Sequence, residues 1–198
     1  MPVEGPSVAP NRITLVGAPG AGKSDLANAL FPHLVERGMN PLRIIDHVHV
    51  DVEERYDLAV GMAGGYIADI AVALERIGQE RAYIAQGIEH FIVCGSLAEN
   101  AIHTAINAEI SADQFSYGVA QVVTPLYPLI RMSMGIHPTY LVPYLDDEIQ
   151  FNRAVASQMA LGLEALDMAY KELPVGLDNQ VEYIIDDLFA DQDAQTPN

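Results

Sequence analysis

The segment Gly17-Ala18-Pro19-Gly20-Ala21-Gly22-Lys23-Ser24 concentrates residue types suited to holding a phosphate chain. Gly17, Gly20 and Gly22 permit backbone angles that side chains forbid, so successive N–H groups can converge on phosphate oxygens. Lys23 supplies a cation with the reach to meet β- and γ-phosphates, and Ser24 a hydroxyl suited to Mg²⁺. Asp25, next in line, completes the candidate set as a cap of the following helix or as a solvent-facing acid. The pattern G-x-x-x-x-G-K-[ST], the P-loop or Walker A motif, would occur by chance in a chain of 198 residues roughly one time in a hundred. Here it follows a strand-like run and opens a helical one, the context the chemistry requires. The expectation is ATP bound on residues 17–25, with Mg²⁺ at Ser24.

Other residues offer weaker signals. Asp46-His47-Val48-His49 ends an apolar run with an acid and, if extended, places two imidazoles on one face. A zinc site would need further ligands that nothing local supplies, so His47 and His49 read as substrate contacts. Tyr66, behind the small-residue stretch 61–65, could stack on a ring, or the stretch could be a plain turn between helices. Cys94, on an apolar strand, reads as a packing thiol. Ser96 and Glu99 fall after that strand on the P-loop's sheet edge, with Ser96 a candidate for the metal's surroundings.

Composition limits the partners. Acids outnumber bases 27 to 10, for a net charge of −17, and Lys23 and Lys171 are the only lysines. So acidic a chain repels nucleic acid and anionic membrane at long range, while backbone amides can still grip a small phosphate at short range. One cysteine provides no disulfide framework. No apolar run approaches the ~20 residues of a membrane span. These features fit a cytoplasmic protein, and a homodimer is compatible with them.

The elements that must position these residues read as an α/β alternation. Residues 12–16 and 42–45 read as strands, as do 91–94 and 139–142, the last halted by Pro143. A final short strand is expected near 173–177. Helices are expected over 24–37 (kinked at Pro32), 53–60, 66–85, 97–110, 146–170 and 180–189, with 111–134 mostly helical. The domain spans 12–190, between an N-terminal arm (1–11) and a polar tail (191–198).

An Asn-Lys-x-Asp segment is impossible with these two lysines, which excludes ordinary GTPases, and no apolar run ends in a clean Walker B acid. The order P-loop, helix, strand ending in Asp46, helical region, strand with Gly95-Ser96, then Tyr140 to Asp146 and a long helix with Arg153 resembles the P-loop kinases of nucleosides, nucleotides and related small molecules. That resemblance implies a three-layer fold with a mostly parallel sheet, phosphoryl transfer from ATP with Mg²⁺, and Asp46 as base or orienter of the acceptor hydroxyl. With Asp46 in that role, the acceptor is expected against Asp46, with His47 and Tyr66 as the further contacts that the residues themselves suggest. Phosphate-binding arginines are expected in such kinases, and Arg131 and Arg153 join Lys23 and Asp46 as catalytic candidates. The sequence departs by lacking an arginine cluster after Leu145. Two alternatives stay open: a P-loop ATPase or nucleotide-dependent regulator acting on a protein partner, and a kinase of modified bases in DNA, which the acidic charge disfavours.

Overall fold

A computed structural model describes residues 12–57, 65–109, 137–144 and 150–193. Its strands are β1 (Arg12–Val16), β2 (Leu42–Ile45), β3 (His90–Cys94), β4 (Thr139–Leu141) and β5 (Lys171–Glu172). Its helices are α1 (Lys23–Glu36), α2 (Val48–Tyr56), α3 (Gly65–Ala85), α4 (Leu97–Glu109), α5 (Gln150–Ala165) and α6 (Leu177–Asp193). The strands form one sheet in the order β2-β3-β1-β4-β5, parallel throughout.

Strand alternation divides the core. All five residues of β1 are buried, as a central parallel strand covered on both faces requires. Ile13 and Leu15 pack with Leu26, Leu30 and Leu34 of α1 and with Ile184 and Phe189 of α6. Val16 points the other way, into a cluster with Ala101 and Ile102 of α4 and Val155, Met159 and Leu163 of α5. Arg12 shares that second face and forms an ion pair with Glu80 of α3 at 3.1 Å. A third cluster joins Ile45, Phe91 and Val93 to α2 and α3 through Val48, Val52 and Val72. The result is helix, sheet, helix: the expected three layers.

Most expected elements lie within a few residues of their observed bounds, and the departures have local causes. α1 runs through Pro32. The carbonyl that the proline leaves without an amide belongs to exposed Asn28, where water can satisfy it. α2 starts at Val48, not Glu53, because Val48 and Val52 sit one turn apart and both bury against the sheet edge. His47 and His49 are therefore not on an extended segment. α5 ends at Ala165, with Asp167 in the left-handed region at φ 54°. The final strand follows at once, at Lys171–Glu172, slightly ahead of the expected 173–177. The expected helical stretch 111–134 lies outside the described residues.

Candidate functional site

β1 delivers the chain to the P-loop at the carboxyl edge of the sheet, where ligands bind in open parallel sheets. Gly17 has no room for a side chain, since a Cβ would lie 2.8 Å from the Val142 carbonyl oxygen. Gly22 forms the N-cap of α1 in the left-handed conformation (φ 83°), and no side chain caps the helix there. The first-turn amides, at the positive end of the helix, are thus available to an anion.

Lys23 directs its ammonium back over the loop. It donates to the carbonyls of Gly17 at 2.6 Å and Ala18 at 3.0 Å, and lies 3.3 Å from Glu99 Oε1. Glu99 Oε2 accepts the Gly17 N–H at 3.1 Å. Ser96 is fully buried, and its hydroxyl accepts the Glu99 N–H at 2.9 Å, capping α4. Ser96 thus serves the helix, and Glu99 reaches the loop.

A cavity of about 540 Å³ opens on this loop from Pro19 to Asp25 and extends to the end of β2, where Asp46, His47 and His49 line it with Glu53 of α2. Asp46 Oδ1 accepts the N–H of His47 at 2.7 Å, and Oδ2 lies 3.4 Å from His47 Nε2. One carboxylate oxygen is anchored to backbone. The other faces a largely exposed imidazole. Burial pushes the pKa of His49 below the ordinary imidazole range, helped by neighbouring His47 and opposed by Glu53 and Asp46. His103, also on the wall, is lowered for the same first reason, against the pull of Glu99.

The floor holds Arg76 and Cys94. Arg76 donates to the Cys94 carbonyl at 3.3 Å; burial lowers its pKa, opposed first by Glu99 and then Glu80. The Cys94 thiol is pushed up to about 12, mainly by burial and then by Asp46. A buried thiol held protonated in this way packs as a small apolar group.

Of the residues expected at a site, the structure brings together 19–25, Asp46, His47 and His49 around one cavity, with Gly17 and Ala18 holding Lys23 beneath it. Tyr66 and Arg153 lie on α3 and α5, but their side chains are outside the described residues, as is all of Arg131. Arg76, Glu53, Asn100 and His103 were not expected. Each belongs to an amphipathic helix pattern in which a lone polar residue carries no signal of its own.

The fold is shared with solved kinases. A deoxyadenosine kinase from M. mycoides with bound dATP superposes with a TM-score of 0.61 at 15% identity, over 89% of this chain and 98% of that one. This chain shares the fold of that structure. A thymidylate kinase from Candida albicans gives a TM-score of 0.58 at 13% identity, covering 96% of both chains. The NadR protein in complex with NR gives 0.57 at 12% identity over 91% of this chain, which spans only 50% of that one. No protein-family model and no curated protein matches the sequence. Within this shared fold, the P-loop and Asp46 occupy the ends of β1 and β2 at one sheet edge.

Proposed function

We propose that this chain transfers the γ-phosphoryl group of ATP to a hydroxyl or phosphate of a small acceptor, a nucleoside or nucleotide. The observation that carries this reading is the cavity that joins the P-loop to the Asp46 carboxylate. Solved kinases of nucleosides and nucleotides sharing the fold support the acceptor class.

Phosphoryl transfer asks the protein mainly for in-line placement and charge neutralisation. The amides at the start of α1 and the ammonium of Lys23 hold the triphosphate. Asp46, steadied through Oδ1, turns Oδ2 to an acceptor hydroxyl and takes its proton. The acceptor oxygen bonds to the γ-phosphorus as the bond to the β–γ bridging oxygen breaks, and ADP leaves. His49, held neutral by burial, offers a hydrogen bond to the acceptor without adding charge.

The donors in the cavity fit magnesium. The Ser24 hydroxyl and the carboxylates of Glu99 and Asp46 are hard oxygens lining one cavity. Mg²⁺ takes few protein ligands and keeps waters and phosphate oxygens, so a dense acidic cage is not required. When bound, the metal neutralises charge on the phosphates. Localisation in the cytoplasm belongs to the same reading; no helix among the described residues is long and apolar enough to cross a membrane.

The test is incubation with γ-labelled ATP and a panel of nucleosides, nucleotides and hydroxylated metabolites. Label should move to one acceptor class. ATP hydrolysis that responds to a protein but to no small acceptor would overturn the proposal.

A further inference from the structure

Two arginines are buried against α3, and they are used differently. Arg12 directs Nη1 and Nη2 to the two carboxylate oxygens of Glu80, each at 3.1 Å. Arg76, one turn before Glu80 on α3, is 6% exposed and lines the floor of the cavity. Its Nη2 donates to the Cys94 carbonyl at 3.3 Å. Its Nε and Nη1, both shielded from solvent, meet no hydrogen-bond partner among the described residues. Glu99 and Glu80 attract the guanidinium by charge without bonding to those two nitrogens. Buried donors are almost always satisfied in folded proteins, and an unmet one on a charged group is costly. A buried guanidinium with two of them, facing a cavity, suits the oxygens of a ligand.

The sheet order decides which oxygens those are. β3 lies between β1, which leads into the P-loop, and β2, which ends at Asp46. The three strand ends are nearly level, since Leu15 pairs with Cys94 and Ile45 with Val93. Arg76 covers the end of the middle strand. A Cβ on Gly95 would stand 3.0 Å from Nη2 and 3.2 Å from Nη1, so the guanidinium takes the space that a side chain at position 95 would fill. A phosphoryl group passing from a triphosphate on the loop to an acceptor at Asp46 crosses this strand end.

The geometry points to Arg76 as a catalytic residue: Nε and Nη1 donate to non-bridging oxygens of the phosphoryl group in transit. They hold its charge while the acceptor oxygen bonds to phosphorus and the bond to the β–γ bridging oxygen breaks. No proton passes through the guanidinium, which stays charged throughout. Resting on the phosphoryl transfer proposed above, this role falls to a side chain anchored in the core, beneath the reacting group. Donors fixed in that way need no reorganisation at the moment of reaction. Arg131 and Arg153, expected in this role from the sequence, are not needed to supply it.

The experiment compares wild type with Arg76→Lys and Arg76→Gln, using γ-labelled ATP and the standard nucleosides and their 5′-monophosphates as acceptors. The lysine keeps a positive charge near Glu80 and Glu99 but lacks the planar fork of donors. Expected is a fall in kcat of about tenfold or more in Arg76→Lys and about 10²–10³-fold in Arg76→Gln, as for loss of transition-state donors. ATP affinity by titration and acceptor KM should stay within about threefold of wild type, the pattern of an interaction made in the transition state alone. A brace for the fold would give another pattern, a lower melting temperature with kcat retained below it, and that result overturns the inference. A loss confined to acceptor KM also overturns it, since Arg76 would then be a ground-state contact. If Arg76→Gln melts below the assay temperature, Arg76→Lys decides alone, and a wild-type kcat there overturns the inference. A wild type that labels no acceptor removes the transfer reading itself, a result distinct from all of these.

Discussion

The two ends of the cavity are built on different principles. At the P-loop end the binding groups are largely backbone, fixed by buried β1 and by glycines with no spare room, and the Lys23 ammonium is fully engaged. At the β2 end they are side chains. His47 is two-thirds exposed and sits at a strained positive φ, and Asp46 has one oxygen committed to backbone. A rigid end suits a ligand common to many reactions, and an adaptable end suits the partner that gives an enzyme its selectivity.

That contrast can be broken by substitution. Lys23→Ala should have the largest effect, lowering phosphoryl transfer by about 10²–10³-fold as expected for loss of one transition-state donor, measured as initial rate. Gly17→Ala should come next. Its Cβ would press on the backbone oxygen of Val142, which cannot swing aside, so unfolding by denaturant should show a loss of about 1–3 kcal/mol together with weaker ATP binding.

A pH series sharpens the comparison, because the imidazoles held neutral by burial, His49 and His103, both line the cavity. A histidine with a lowered folded pKa takes up a proton on unfolding. Its contribution is therefore intact above the unfolded value of 6.5 and lost as pH falls below it toward the folded value. The melting temperature should decline over that window, and His103→Asn should flatten the decline. Glu99, Lys23 and Arg76 face His103, and none of them is removed by that change.

The smallest effect should come from His47→Gly. It removes an imidazole mainly in solvent and relieves a left-handed backbone, so stability should rise or hold within about 1 kcal/mol by denaturant titration. A loss well beyond that would show the β2 end to be as tightly determined as the loop.

The same contrast explains what the sequence disclosed. Residues 17–24 form one contiguous stretch whose spacing is the chemistry, and β1, α1, β2, β3 and α4 could be read beside it from apolar runs and glycine caps. Asp46 was legible because it closes a strand. Ser96 and Glu99 could be placed on the P-loop's sheet edge, but not the contacts of Glu99 with Gly17 and Lys23, which depend on the parallel register of β1 with β3 that pairs Leu15 with Cys94. Arg76 is still less visible, being a polar residue on α3 that meets β3 only after the sheet has assembled. His47 and His49 would share one face only on an extended segment; burial of Val48 and Val52 instead starts α2 at Val48, ahead of the expected Glu53.

The central claim is that Asp46 serves an acceptor across from a triphosphate on the P-loop. Asp46→Asn tests it most directly, with ATP affinity by titration and phosphoryl transfer by labelled ATP measured on the same preparation. Transfer should fall by about 10²-fold or more, the usual contribution of a positioned general base, while ATP affinity stays near that of the wild type. Undiminished transfer in Asp46→Asn would contradict the account.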